Sequence, residues 1–151
     1  MPDRVHPPRI VKPLNKVFVA LLRLGIPISR DESPVVLTVP GRNTGKPRST
    51  PVTPINIDGA RYVVNGYPGA DWVANVRAAR EVTLTRGRHL ERVRMVELSP
   101  EDARPVLRVF PALVPTGAEL MKRVGLLTEG TPDEFETLAG RCPVFRIEPI
   151  T

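Results

Sequence analysis

The sequence predicts an α+β chain, a small antiparallel barrel with helices packed on its outside. Three observations carry this. Short apolar or alternating runs follow one another through glycine turns, with Asp58-Gly59 the clearest hairpin signal. Most of the helical patterns fall late, in residues 99–140, and do not alternate with strands as βαβ units would. Eighteen prolines are spread along the chain. That is about twice the ordinary share of roughly 5%. They mark turns, edge strands and helix starts.

Taken in order, residues 1–9 read as a charged, proline-rich arm. Over residues 10–24, Ile10, Leu14, Val17, Phe18, Leu21, Leu22 and Leu24 recur near helical spacing among Lys12, Lys16 and Arg23. Gly25 and Pro27 stop that helix. It is too short and too charged to span a bilayer, which takes ~20 apolar residues. It can rest on a membrane surface or pack on its own domain. Residues 35–39 form a buried strand, and Pro40-Gly41 ends it. The return strand, residues 48–57, carries Pro51 and Pro54, so it is an edge or is bulged. Residues 55–57 and 60–64 form the Asp-Gly hairpin. Asp71 caps a helix over 72–79, and strands follow at 82–85 and 90–98.

Ser99-Pro100-Glu101-Asp102 is a helix start, with a cap, a proline in the first turn and acids behind it. Pro105 and Pro111 make that helix irregular. Further starts fall at Thr116 and Thr131, and residues 143–147 form the last of about six strands.

The chain has 151 residues and reads as one domain. Its net charge of +6 suits an anionic ligand or surface. The cations are scattered and aromatic residues make up 5%, so no nucleic-acid platform emerges. The single Cys142 excludes an internal disulfide and fits a reducing compartment, so a cytoplasmic location is expected, with peripheral membrane contact through residues 10–24 as the open option. His6 and His89 have no ligand-like spacing, and no metal is expected.

The chain is organised around residues 35–51. Arg42, Lys46 and Arg48 crowd one turn with Gly41 and Gly45. Three cations on a short loop repel one another unless an anion sits among them. Arginine also offers a fork that matches phosphate or carboxylate. The turn reads as an anion site or as a solvated basic loop; it lacks the spacing of a Walker loop. Trp72 and Asn75, three apart on a helix, can cover a planar ring and bond its polar edge, or pack in the core. No serine lies in a nucleophile elbow, and no carboxylates form a reacting pair. A bound cofactor is therefore expected to carry any chemistry.

Together, TVPGRNTGKPRSTPV, INIDGARYVVNGYPG and DWVANVRAAREVTL resemble the deazaflavin (F420)-dependent nitroreductase family. The likeness spans about residues 35–84, with a weaker echo in PVFRIEP. It implies a split β-barrel of the FMN-binding-like kind and a hydride transfer from reduced F420. It implies that Arg42, Asn43, Thr44, Gly45, Lys46 and Arg48 hold the cofactor's phosphate and glutamate tail. Thr50, Pro51 and Val52 would line the ring edge. Val64, Asn65, Gly66 and Tyr67 would lie along the deazaflavin, and Trp72 and Asn75 would close the site. Asn43 stands where many family members have lysine, and residues 98–142 hold no tyrosine over the substrate. The expected acceptor is hydrophobic, with an activated double bond: a quinone, an enone, an unsaturated lipid or a nitro compound. Tyr67 is the candidate proton donor. The alternatives are an FMN-binding relative and a non-catalytic carrier of cofactor or lipid. The oligomeric state is left undecided.

Overall fold

The computed structural model describes residues 34–65 and 69–150. The expected helix over residues 10–24, and Gly66 and Tyr67, lie outside the described residues.

Among the described residues seven strands form one antiparallel sheet: β1 (Val35–Pro40), β2 (Pro47–Val52), β3 (Ile55–Ile57), β4 (Ala60–Val64), β5 (Glu81–Arg86), β6 (His89–Glu97) and β7 (Val144–Pro149). Their order is β2-β1-β5-β6-β7-β4-β3. The two edge strands are therefore consecutive in the chain, separated by Thr53-Pro54 alone. Seven flat strands would hold their edges about 29 Å apart. Two linking residues reach only about 10 Å. The sheet must curl, and it forms a half-barrel whose seam is crossed by one bent segment.

The return strand expected over 48–57 is thus two strands, making seven where about six were expected. Pro54 explains the break: it has no N–H for a ladder, and it sits where the chain leaves β1 for β4.

Register sorts the side chains. Val35, Leu37 and Val39 of β1 lie opposite Val52, Thr50 and Arg48 of β2, so these six share the inner face. Val35, Leu37, Val39 and Val52 join Val63, Val82, Leu84, Val93, Met95, Phe145 and Ile147 in the barrel core. Helix α1 (Asp71–Ala79) closes one end of the barrel, inserting Val73 and Val76 into that core. Ala70 occupies its cap position without a side-chain bond, and Asp71 is the first helical residue, not the expected cap. The other end opens into a cavity of about 360 Å³ among Asn56, Arg61, Arg86, His89 and Glu91.

A second core lies on the outer face. Helices α2 (Pro100–Leu113), α3 (Pro115–Arg123) and α4 (Pro132–Glu136) pack over Ile55, Tyr62, Val64 and Val144. Ser99 and Thr131 cap α2 and α4 through their hydroxyls, accepting from the N–H of Asp102 and Glu134 at 3.1 and 3.2 Å. Pro105 and Pro111 both sit inside α2, which stays one helix; the break comes at Val114, before Pro115. Cys142 is fully buried.

Candidate active site

The turn between β1 and β2 is closed by its own backbone. The Gly41 N–H donates to the Lys46 carbonyl, and the Gly45 N–H to the Gly41 carbonyl, both at 2.8 Å. The Lys46 N–H donates to Thr44 Oγ1 at 3.2 Å. Gly45 holds φ +73°, a left-handed conformation that glycine takes without a Cβ penalty. A Cβ on Gly41 would come within 3.3 Å of the Lys46 carbonyl oxygen and Thr44 Oγ1. The hairpin behind the turn is pinned on its outer face by the Thr38 and Ser49 hydroxyls, 2.9 Å apart.

The three cations do not behave alike. Arg42 is turned onto α1. Its N–H donates to Asn75 Oδ1 at 3.0 Å, and its Nη1 donates to the same oxygen at 2.9 Å. Its guanidinium also meets the Asp71 carbonyl at 3.4 Å and the Asp71 carboxylate at 3.6 Å. Lys46 and Arg48 are exposed, and among the described residues neither has a carboxylate partner. Asn43 and Thr44 are also exposed, and their main-chain N–H groups donate to no described acceptor. The turn thus carries two exposed cations and two amides that donate to no described acceptor. That donor set fits a ligand carrying several negative charges.

Asp71 was not foreseen as part of this arrangement. The available signal was its spacing: Asp71 and Asn75 are four apart, one turn of α1, so both can address one guanidinium.

The remaining expected residues fall in two groups. Thr50 and Val52 lie on the inner face with Arg48, whereas Pro51 is on the opposite side of the strand. Trp72 is half-buried against the barrel core, its ring 5.7 Å from that of Phe145 at an interplanar angle of 50°. Val64 packs against the helical core on the outer face, so contact from this residue to a ligand inside the barrel would come from its main chain. Asn65 is buried, and its N–H donates to the Pro143 carbonyl at 2.9 Å. The structure therefore gathers Arg42, Asn43, Thr44, Gly45, Lys46, Arg48, Trp72 and Asn75 at the α1 end of the barrel, with Thr50 and Val52 down the same wall.

The solved structures similar to this chain share the fold. An F420-H2 dependent reductase (FDR-A) matches with 23% identity and a TM-score of 0.53, covering 81% of this chain and 97% of its own. A domain-swapped dimer matches at 20% identity and TM-score 0.53, covering 92% of this chain and 99% of its own. A protein of unknown function from Agrobacterium tumefaciens matches at 16% identity and TM-score 0.53, over 89% of this chain and 53% of its own. No curated protein matches the sequence. The family model of the F420H(2)-dependent quinone reductases matches residues 18–122, more than half of the chain. The curled antiparallel sheet, the basic turn and that match agree: the chain belongs to the F420H(2)-dependent quinone reductase family and is an F420H2-dependent reductase.

Proposed function

We propose that the β1–β2 turn grips the anionic tail of F420 and that the enzyme reduces a hydrophobic quinone by two electrons. One observation carries the site: Lys46 and Arg48 stand exposed, without carboxylate partners among the described residues, beside the free amides of Asn43 and Thr44. When bound, reduced F420 supplies a hydride, so no protein nucleophile is needed. Lys46, Arg48 and the two amides hold the tail's charges. Thr50 and Val52 line the inner wall beneath them, and Trp72 shields that end of the barrel from water. The proton that completes the hydroquinone comes from solvent or from Tyr67. An apolar acceptor also gives residues 10–24 a role, as the part of the chain that meets a membrane holding the quinone.

FMN carries one phosphate and no carboxylate tail, so it makes less use of two free cations and two amides. Fluorescence titration with F420 and with FMN, at low and moderate salt, separates the two. Saturable F420 binding that weakens with salt is the expected result. Replacing both Lys46 and Arg48 by alanine should lower F420 affinity about 100-fold or more, at roughly 1.5–3 kcal/mol for each charge-assisted contact. A change of less than threefold would remove the turn from the binding site. Turnover of reduced F420 with a soluble quinone, but not with an enone or a nitro compound, would fix the acceptor class. Tight binding with no turnover would favour a carrier.

A further inference from the structure

We propose that Asn75 is a positioning residue that shapes the anion turn before any ligand arrives, acting through Arg42. The inference rests on the turn being the anion site. Asn75 is 5% exposed and lies on α1, while the turn it touches is 33 positions earlier. Its amide oxygen accepts twice from one residue, at 3.0 Å from the Arg42 main chain and at 2.9 Å from the guanidinium. An amide oxygen has two lone pairs, and both are used. The first bond fixes the backbone where β1 enters the turn. The second, with Asp71, draws the guanidinium back over α1.

Two consequences follow for the turn. Its path from Arg42 onward is set, with the Asn43 and Thr44 N–H groups donating to no described acceptor. One of the three like charges is also partly neutralised by the Asp71 carboxylate, so Arg42 repels Lys46 and Arg48 less. Asn75 therefore contributes to ligand affinity through a preset loop, which lowers the ordering cost of binding.

The role predicts coupling between residues that do not touch. F420 titrations are made on the unaltered protein, Asn75→Ala, Lys46→Ala and the double variant. Each single change should weaken binding about 10-fold. In a misplaced turn Lys46 has little left to lose, so the double variant should fall well short of the roughly 100-fold product. A full product would mean that Asn75 acts independently of the turn, and would overturn the proposal. Amide hydrogen exchange on the ligand-free protein gives a second readout. The Arg42 amide should be protected, should exchange about 10-fold faster in Asn75→Ala, and should stay protected in Asn75→Asp, whose carboxylate accepts the same two bonds. Equal protection in Asn75→Ala would also overturn the proposal. Asn75→Ser, whose shorter side chain does not reach Arg42, replaces the alanine variant if that one does not fold, and should show the same faster exchange of the Arg42 amide; equal protection there would overturn the proposal as well. Failure of the unaltered protein to bind F420 would sink the anion-site reading itself, a result distinct from any outcome of the exchange measurement.

Discussion

A single carboxylate can order a whole loop, and Glu134 does so here. One of its oxygens accepts from the N–H and hydroxyl of Thr128 at 2.8 and 2.9 Å; the other accepts from the N–H groups of Glu129 and Gly130 at 3.0 and 2.7 Å. These bonds, led by that from the Thr128 backbone, hold its pKa down at about 2, against 4.5 for a free glutamate. The native state therefore binds this proton less readily than the unfolded chain. The stabilisation is complete above about pH 4.5 and is lost as pH falls toward 2. In Glu134→Ala the drop in Tm between those pH values should shrink relative to the unaltered protein, and thermal melts at pH 6, 4 and 3 would check it. Sequence spacing identified Glu134 as part of a helix start, and the Thr131 cap confirms that. The reach back to residues 128–130 was not legible, because it depends on a side-chain rotamer. Asn75 is the parallel case at the site. Its spacing from Trp72 singled it out, yet its partner Arg42 is set by the packing of α1 against β1, which no local pattern records.

The elements show which local rules survive folding. The Asp58-Gly59 hairpin lies where the dipeptide placed it, with Ile55, Asn56 and Ile57 paired to Tyr62, Arg61 and Ala60. The caps at Ser99 and Thr131 do likewise. Prolines were read less well, because their effect depends on which edge of a strand or helix they face. Pro54 split a strand, whereas Pro105 and Pro111 left α2 whole. At the turn, Gly45 has open space around the position of a Cβ, so a substitution there tests backbone conformation alone. A β-branched residue held at φ +73° costs about 1–2 kcal/mol. Gly45→Val should therefore lower stability by about that amount or distort the turn. In either case F420 should bind more weakly while the far-UV spectrum is unchanged. Unchanged affinity would mean that the turn adapts to its ligand.

Across the whole molecule, two cores lie on opposite faces of one sheet, and β7 belongs to both. Val144 faces the helices while Phe145 faces the barrel, and both are almost fully buried. Barrel and helices should therefore unfold together. The single tryptophan, Trp72, lies against Phe145 and reports the barrel by fluorescence. Far-UV circular dichroism reports the helices. The two melting curves should coincide, and Phe135→Ala, made in the helical core, should shift both by a loss of about 3–5 kcal/mol. A tryptophan transition left in place while the helices melt would separate the cores.

The position of β7 also bears on synthesis. It lies between β6 and β4, with Leu98 and Asn65 bonded to Val144 and Pro143 at its entry. Every other described strand leaves the ribosome before it. Until residues 144–149 emerge, the nascent chain can pair β2-β1-β5-β6 in one ribbon and β4-β3 in another, with no strand hydrogen-bonded between the two. Both ribbons expose an unpaired edge during that interval, a condition that invites association between neighbouring chains. The yield of soluble enzyme should thus depend on how quickly β7 is delivered.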